Sequence, residues 1–460
     1  MEEEYFLNLL QKYSQTHILG HYQSLSLPEK EKFISEMGKL DFELVFSLYE
    51  KVSQQKSPIK HNIDIYPSRI FTIPKNSDEQ VEMEEARISG ESLIRKNKIA
   101  VLIVAGGHGS RLGFNGPKGM FPISPVKNKS LFQLFAESVK ALSLRYKVVV
   151  PLLIMTDTEI LPEAKDFFKT HNFFGLDPQT VHFFEQEMLP TLTVDGKLIL
   201  KDKTHLFVNP NGHGGCIKGL YDSGLLKKLI EDGYSDLFYC QIDNLLVKIM
   251  DPAFVGYHKA EDSEMSTKVV RRRSCEEKVG IFAAEDGKAK IIEYSELDPD
   301  NRGILDNKGQ IRDWAGNTAI HMISLAFIQR LDEHGFSLPY HHAVKKVNSL
   351  GVEGEIAEIE GWKFETFIFD AIPLAKKTCC MEISREEEFA PLKNKDGDDS
   401  PETVRKILSN MYKNWLHDTG IEVEPQVRVE ISPLFALSKE ELRSKIKGVN
   451  IRGDKDIYLE

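Results

Sequence analysis

Residues 99–113 read IAVLIVAGGHGSRLG, and this stretch decides the fold predicted for the chain. Its first seven residues, Ile99 to Ala105, form a continuous apolar run, which is typical of a β-strand buried on both faces of a sheet. A glycine-rich segment follows at once and leads to Pro117-Lys118-Gly119. Because open α/β sheets bind ligands beyond the carboxyl ends of their strands, we expect this loop to carry the functional site.

Strands and helices alternate along the chain after this loop. We predict strands at Lys147–Met155, Val181–Phe184 and Asp236–Ile242, and helices beginning at Ser130, near residue 158 and at Gly224. This order indicates an α/β fold with a mainly parallel, doubly wound (Rossmann-like) sheet. The segment Val279–Leu297 instead predicts a β-hairpin, with Asp286-Gly287 as its turn.

The chain has 460 residues, which at about 150 residues per domain suggests two or three domains. Apolar stripes predict a helical N-terminal region over residues 1–97. The alternating elements predict a central α/β domain over residues 98–395. The loop sequence DGDDSP then marks the start of a small C-terminal domain over residues 396–460.

Composition excludes several classes of protein. The 70 acidic residues outnumber the 59 basic ones, which argues against a general nucleic-acid binder. No apolar run reaches the roughly 18 residues of a membrane span, and the first residues, MEEEYF, lack the apolar core of a secretory signal. The five cysteines do not show metal-binding or disulfide spacing. We therefore expect a cytoplasmic protein that binds neither nucleic acid nor membranes.

The glycine-rich loop has the chemistry of a phosphate-binding loop. Glycines let backbone N–H groups approach a phosphate closely, and Arg111 and Lys118 add positive charge for the same anion. The spacing does not match a P-loop, because no glycine is followed by Lys and then Ser or Thr. It does not match the dinucleotide fingerprint either, because Leu112 stands where the third glycine would be. A glycine-rich turn with incidental basic residues is the alternative interpretation.

The segment VAGGHGSRLGFNGPKGMFPI closely resembles the nucleotide-binding signature of UTP-dependent sugar-1-phosphate uridylyltransferases. Within that group the chain is most similar to UDP-N-acetylglucosamine pyrophosphorylases. The resemblance covers nearly the whole chain and includes these further segments: FFEQEMLP, DGKLIL, NGHGG, YCQIDNLLVKIMDP, EYSEL, AGN, FIFD, EEEFAPLKN and VEISPL. It implies a nucleotidyltransferase sheet as the central domain, with UTP and a hexose-1-phosphate as substrates.

The implied reaction is attack by a sugar-1-phosphate oxygen on the α-phosphorus of UTP, which expels pyrophosphate. The nucleophile is already an anion, so we expect catalysis to depend on positioning and on neutralising charge. The resemblance implies catalytic roles for Arg111, Lys118 and Lys393. Asp243 follows a predicted strand and matches the metal-binding position of the family, so it is the predicted ligand of Mg²⁺.

The resemblance also implies two sets of binding residues. A carboxamide such as that of Gln186 has the acceptor and donors to bind the edge of uracil. The implied nucleotide-binding residues are Val104, Ala105, Gly106, Gly107, Lys118, Gln186, Gly212, Asp243 and Lys363. The implied sugar-binding residues are His213, Glu293, Tyr294 and Asn317.

One departure from the family leaves the sugar open. Acetylglucosamine enzymes usually have Asn in GNGG, whereas this chain has His213 in GHGG, as in UDP-glucose and broad UDP-sugar pyrophosphorylases. The preferred interpretation is a Mg²⁺-dependent enzyme that makes UDP-N-acetylglucosamine, and the alternative enzyme uses glucose-1-phosphate or several hexose-1-phosphates. A remote alternative is a nucleotide-sugar sensor without turnover. A guanylyl- or cytidylyltransferase fits Gln186 and Gly212 less well.

Overall fold

The computed structural model describes residues 3–54, 63–64, 69–294, 296, 305, 309–333, 335–336, 338–351, 355–447, 451 and 453–460. The chain divides into two compact units. The small unit takes its residues from Met1–Ile59, Gln186–Gly215 and Leu338–Ile368. The large unit takes its residues from Lys60–Glu185, Cys216–Ser337 and Phe369–Glu460.

These units do not follow the three consecutive ranges predicted from the sequence. The small unit is built from three separate segments, so the predicted boundary after residue 97 does not coincide with its limits. Residues 396–460 group with the large unit. A division made along the chain cannot show such an arrangement, because two inserted segments share one core with the N-terminal helices.

The strands, in chain order, are β1 (Ile63–Asp64), β2 (Ile70–Phe71), β3 (Ile99–Val104), β4 (Leu152–Thr156), β5 (Val181–Glu185), β6 (Met188–Pro190), β7 (Leu192–Thr193), β8 (Val208–Pro210), β9 (Asp236–Gln241), β10 (Met265–Arg271), β11 (Ile281–Glu285), β12 (Lys288–Ile292), β13 (Ala315–Ser324), β14 (Tyr340–Leu350), β15 (Ile356–Thr366), β16 (Thr378–Ile383), β17 (Val429–Ile431) and β18 (Ile457–Leu459). The α-helices are α1 (Glu3–Lys12), α2 (Thr16–Ser24), α3 (Leu27–Met37), α4 (Phe42–Gln54), α5 (Ser77–Ile94), α6 (Leu131–Tyr146), α7 (Leu161–Thr170), α8 (Gly215–Asp222), α9 (Leu225–Glu231), α10 (Pro252–Ala260), α11 (Leu325–Asp332), α12 (Arg385–Glu388), α13 (Pro401–His417) and α14 (Lys439–Lys445).

The large unit is organised around one mixed sheet. Its strand order is β2-β16-β10-β13-β9-β3-β4-β5. All neighbours along this path are parallel except β13, which runs antiparallel to both β10 and β9. The antiparallel strands β11, β12 and β1 continue from β13. The prediction of an α/β fold with a mainly parallel sheet is therefore confirmed.

The central strands are buried on both faces, as their apolar sequences predict. In β3 and β4, residues such as Val101 and Leu152 are paired and buried. Helix α6 begins after Ser130, whose hydroxyl accepts a hydrogen bond from the backbone N–H of Gln133. The same hydrophobic core also contains Leu408 from the C-terminal part of the chain, so residues after 395 pack with the main sheet.

Two local elements show how turn residues set strand limits. Lys147 has a φ of 55° and caps α6, so β4 begins at Leu152 rather than at the predicted Lys147. In the predicted hairpin, Asp286 and Gly287 have φ values of 50° and 76°, and β11 and β12 pair on either side of them. This turn is confirmed, while Leu297, where the prediction ended, lies outside the described residues.

The small unit combines helices α1–α4 with short strands and a long hairpin. Strands β14 and β15 pair over their full lengths, and β15 also pairs with β7. The core contains Phe6 and Phe33 from the helices and Phe364 from the hairpin. The buried carboxamide of Gln15 donates to the carbonyl of Gly196 at 3.0 Å. These contacts join segments that are far apart in sequence.

None of the helices in the described part of the chain combines the length and the apolar character needed to cross a membrane.

Candidate active site

The carboxyl ends of β3 and β9 form the switch point of the large unit's sheet. The chain proceeds from β3 to β4 and β5 on one side and later places β9 on the other side of β3. The last residues of the two strands, Val104 and Gln241, are paired. In doubly wound sheets the ligand crevice lies at such a point. The glycine-rich loop and Asp243 both begin here.

The glycine-rich loop is closed by its own backbone. Gly109 donates to the carbonyl of Gly116 at 2.8 Å, and Lys118 donates to the carbonyl of Gly107 at 3.2 Å. Gly107 has a φ of +100°, a conformation that side chains with a Cβ rarely adopt. A Cβ on Gly109 would lie 2.9 Å from the ring of Phe114. The compact loop thus requires glycine at these positions.

Two cations of the loop differ in their surroundings. Lys118 Nζ lies 3.6 Å from Asp243 Oδ2, and both side chains are about four-fifths buried, with 18% and 19% exposure. Arg111 is exposed. One cation is therefore held beside a carboxylate, and the other is open to an anion from solvent.

The segment that carries Lys393 is bonded to the turn that carries Asp243. The backbone N–H of Leu392 donates to the carbonyl of Asp243 at 2.9 Å. Lys393 is the next residue, and its own backbone N–H donates to the carbonyl of Asp399 at 2.8 Å. The side chain of Lys393 is exposed. The structure thus brings Asp243, Lys118 and the backbone of Lys393 into one part of the large unit.

Two predicted sugar-binding residues lie on either side of Gly280. The backbone N–H of Asn317, at the start of β13, donates to the carbonyl of Gly280 at 2.8 Å. A Cβ on Gly280 would lie 3.0 Å from Oε1 of Glu293. Tyr294 follows and is 37% exposed. Glu293 and Asn317, which are distant in sequence, are therefore neighbours in the fold.

In the small unit, Gly212 lies in a loop bonded to the end of β15. The N–H of Thr366 donates to the carbonyl of Asn211 at 2.7 Å, and the N–H of Asn211 donates to the carbonyl of Glu187 at 2.9 Å. Gly212 has a φ of +86°, and a Cβ there would lie 2.9 Å from the backbone nitrogen of Thr366. Gln186 is buried and directly precedes Glu187. The predicted uracil-binding residues Gln186 and Gly212 thus lie on adjoining segments.

The ring of His213 is held in one orientation and one tautomer. The backbone N–H of Ile368 donates to His213 Nδ1 at 3.2 Å, and the ring stacks on Phe367 with centroids 5.2 Å apart. His341 stacks on Phe367 at 4.5 Å. Because a backbone N–H can only donate, Nδ1 is the acceptor, and the neutral ring carries its proton on Nε2. His213 therefore presents an N–H donor, as the carboxamide of an asparagine does.

Lys363 has a different environment from the other predicted lysines. It lies on β15, is buried, and its Nζ is 2.7 Å from Oε1 of Glu365. An exposed surface lysine would pair only loosely with its neighbours. The structure places Lys363 three residues before Thr366, whose backbone bonds the loop of Gly212.

The structure groups the predicted site residues by unit. The small unit contains Gln186, Gly212, His213 and Lys363. The large unit contains Val104, Ala105, Gly106, Gly107, Arg111, Lys118, Asp243, Glu293, Tyr294, Asn317 and Lys393.

Two buried residues beside the site were not predicted from the sequence. Asp157, after β4, accepts from the N–H of Gly107 at 3.2 Å and from the N–H of Ile160 at 3.0 Å. Asn244, after Asp243, bonds the backbone of residues 388 and 390. Asp157 follows a buried strand and precedes a helix, and this position could have identified it. The partners of Asn244 lie about 145 residues away in sequence and leave no local signal.

The residues at this edge fit Mg²⁺ better than they fit a metal that needs a full protein shell. No cluster of three or more His, Cys, Asp or Glu side chains within the described ranges is arranged to hold a metal ion. The predicted ligand, Asp243, is one partly exposed carboxylate. Mg²⁺ binds proteins through one or two carboxylates and takes its other oxygens from substrate phosphates and water.

A family model described as UTP–glucose-1-phosphate uridylyltransferase matches residues 42–452. The chain is 33% identical to a UDP-N-acetylglucosamine pyrophosphorylase from Saccharomyces cerevisiae, over 94% of this chain and 95% of the yeast protein. The family match covers the glycine-rich loop and every predicted site residue.

Solved structures of UDP-sugar pyrophosphorylases are also similar to this chain. The uridine diphosphate N-acetylglucosamine pyrophosphorylase from Trypanosoma brucei superposes with a TM-score of 0.84 at 25% identity, over 100% of this chain and 98% of that one. A UDP-glucose phosphorylase from the same organism has a TM-score of 0.60 at 19% identity, over 79% of this chain and 75% of that one. At that identity the second likeness concerns the fold alone.

Proposed function

The chain belongs to the UTP–glucose-1-phosphate uridylyltransferase family, and from this premise we propose that it converts UTP and N-acetylglucosamine-1-phosphate to UDP-N-acetylglucosamine and pyrophosphate. Membership makes it an enzyme that acts on a nucleotide and a sugar phosphate. The observation that carries the choice of sugar is the similarity over nearly the full chain to acetylglucosamine enzymes.

The reaction joins two anions, so the protein has to position them and balance their charge. An oxygen of the sugar phosphate forms a bond to the α-phosphorus of UTP. The bond from that phosphorus to the bridging oxygen breaks, and its electron pair leaves with pyrophosphate. The attacking oxygen is already negative and needs no base. Cations placed where charge gathers on the leaving group would therefore supply most of the catalysis.

Three basic residues of the large unit are suited to this task. Arg111 is exposed beside the glycine-rich loop and can bind phosphate oxygens with two parallel N–H groups. Lys118, which is fixed by its loop and by Asp243, provides a point charge. Lys393 provides a second one from the segment bonded to Asp243. We assign all three to the triphosphate and the departing pyrophosphate.

Asp243 would hold Mg²⁺ together with phosphate oxygens of the substrates. When bound, the ion neutralises charge on those oxygens. Lys118, 3.6 Å from the carboxylate, would add positive charge for the same phosphate groups. Removal of Mg²⁺ with a chelator should abolish turnover without unfolding the protein.

The nucleoside would bind through backbone and amide groups. Val104, Ala105, Gly106 and Gly107 end β3 and begin the loop, so their backbone would lie along the nucleotide. Gln186 would bind the uracil edge, and the backbone of Gly212 would pack against the base. Lys363, paired with Glu365, would contribute from β15.

Hydrogen bonds from polar side chains would orient the sugar. Glu293 can accept from hydroxyl groups, and Asn317 and Tyr294 can bind further polar groups of the sugar. The Nε2–H of His213 would serve as a donor at a position where acetylglucosamine enzymes usually have an asparagine. This donor equivalence is our explanation for a His in a chain that otherwise resembles those enzymes.

The competing proposal is a preference for glucose-1-phosphate, and His213 is the observation that favours it. Pyrophosphate release from UTP and Mg²⁺ should be compared for the two sugar phosphates at equal concentrations. We expect a strong preference for the acetylated sugar. Preference for glucose would replace our proposal with the competing one, and release with neither sugar would favour a sensor that binds without turnover.

We also propose a cytoplasmic location. All five cysteines are free thiols, and four of them are buried. Burial raises the pKa of Cys379 to about 12, which keeps this thiol protonated and unreactive. Such thiols are usual in a reducing compartment.

A further inference from the structure

A buried asparagine ties together the two segments that carry Asp243 and Lys393. Nδ2 of Asn244 donates to the carbonyl of Glu388 at 2.8 Å. Its Oδ1 accepts from the N–H of Ala390 at 3.0 Å. The neighbouring backbone bond from Leu392 to Asp243 continues the contact, and residues 244 and 391 form an antiparallel bridge. The segment 388–392 is thus aligned with the turn 243–244.

Asparagine is the side chain that this contact requires. Its Cγ carries both an acceptor oxygen and a donor nitrogen, so it can bind a carbonyl and an N–H of the same chain segment at once. An aspartate in its place keeps the acceptor but cannot donate to Glu388. Asn244 is only 3% exposed, so water cannot readily replace a lost bond.

The other end of the segment is fixed to the sheet by an ion pair. Nζ of Lys268, on β10, lies 2.6 Å from the carboxylate of Glu388 and 2.7 Å from that of Asp251. Lys268 is completely buried, and Asp251 caps the start of α10. Burial alone would raise the pKa of Asp251, but the charges of Lys268 and Lys248 hold it below its usual value. Glu388 is therefore anchored to a strand and a helix of the core.

We propose that Asn244 is a positioning residue, which sets the place of Lys393 relative to Asp243 before substrates bind. This inference rests on the proposed function, because the proposed function assigns Lys393 and Asp243 to the substrate phosphates. The backbone of residue 392 is hydrogen-bonded to Asp243. A shift of this segment therefore moves the backbone of Lys393, from which its side chain extends. Its ammonium would then no longer lie where the proposed function needs it, beside the substrate phosphates near Asp243.

The test is a double-mutant cycle of Asn244→Asp with Lys393→Ala. Alone, Asn244→Asp should lower kcat by roughly tenfold or more, with a smaller change in KM for UTP. In the Lys393→Ala background, the same substitution should have almost no further effect on kcat. If Asn244 has a merely structural role, the fold-losses in kcat of the two single variants should multiply in the double variant. That result would overturn the proposal. Asn244→Ser, which removes the reach of the amide without adding charge, serves as a second variant if Asn244→Asp does not fold.

Amide hydrogen exchange provides a readout that does not depend on turnover. Peptides that contain residues 388–393 should exchange faster in Asn244→Asp than in the unaltered protein, whereas the exposed control Asn414→Asp should leave them unchanged. Equal exchange in Asn244→Asp would contradict the proposed contact. An unaltered protein that releases no pyrophosphate would instead refute the proposed function, so the two failures are distinguishable.

Discussion

Lys118 lies at the end of the glycine-rich loop, and its ammonium is beside the carboxylate of Asp243 at the end of the central strands. We predict that Lys118→Ala lowers kcat/KM by roughly 100- to 1000-fold, because it removes a cation that stabilises the leaving pyrophosphate. The measurement is steady-state pyrophosphate release, with circular dichroism to show that the fold is retained. Lys96→Ala, at an exposed lysine of the same unit, is the control. A folded Lys118→Ala enzyme with near-normal kcat/KM would remove Lys118 from the catalytic residues.

His213 decides a narrower question, the choice of sugar. Both His213 in its observed tautomer and an asparagine present an N–H donor, but they differ in length and shape. We expect His213→Asn to change the ratio of kcat/KM for N-acetylglucosamine-1-phosphate over glucose-1-phosphate by several-fold, while activity persists. An unchanged ratio would mean that His213 does not set the preference.

Single residues also show where sequence reasoning ends. Arg111, Lys118 and Asp243 could be proposed as candidates because each follows a recognisable strand or lies in a glycine-rich loop. The burial of Lys363 beside Glu365 could not be predicted, because it depends on how the neighbouring strands cover the side chain. The role of Asn244 depends on a segment far along the chain. Local patterns therefore locate the charged groups but not the residues that hold them.

Among the elements, the N-terminal helices offer a direct test of the small unit's core. Phe6 is completely buried and packs edge-on against Tyr22 and Phe33. We predict that Phe6→Ala lowers the free energy of unfolding by about 3–5 kcal/mol, because it leaves a cavity. Urea denaturation measures this loss.

The neighbouring residue provides the matched control. Tyr5 is 54% exposed, so Tyr5→Ala should cost less than about 0.5 kcal/mol. Equal losses for Phe6→Ala and Tyr5→Ala would show that α1 is not part of this core.

Element types followed from sequence more reliably than their limits and directions. The apolar run Ile99–Ala105 and the Asp286-Gly287 turn were predictable, because buried strands and tight turns demand those residues. The start of β4 was placed too early, because Lys147 takes a left-handed conformation that its sequence does not require. The reversed direction of β13 was not predicted, since an antiparallel strand buried among parallel ones has a similar apolar sequence.

For the molecule as a whole, buried aspartates predict a loss of stability in acid. Burial alone would raise the pKa of Asp236, but its hydrogen bond with His258 and the charge of Lys259 hold it below its usual value of about 3.9. The pKa of Asp251 is lowered for a similar reason. A carboxylate with a depressed pKa in the folded state stabilises that state above its unfolded pKa. This contribution is lost as the pH falls through the folded value.

The substitution Asp236→Asn tests this expectation. We predict a loss of about 1.5–3 kcal/mol at neutral pH and a flatter dependence of stability on pH below about 4. Chemical denaturation at a series of pH values measures both. Asp222→Asn, at an exposed ion pair with Lys218, should change neither. If the stability of Asp236→Asn fell with pH in acid as steeply as that of the unaltered protein, Asp236 would not be a source of the acid sensitivity.

The three-segment composition of the small unit has a consequence for the newly made chain. Phe364 completes the core of helices that end at Gln54, and it follows Gln54 by about 300 residues, which a ribosome needs roughly 15–60 s to translate at 5–20 residues per second. Throughout that interval the nascent helices lack part of the core that covers their apolar faces. Truncated or stalled products therefore expose these faces permanently, which makes them substrates for chaperones and quality-control proteases.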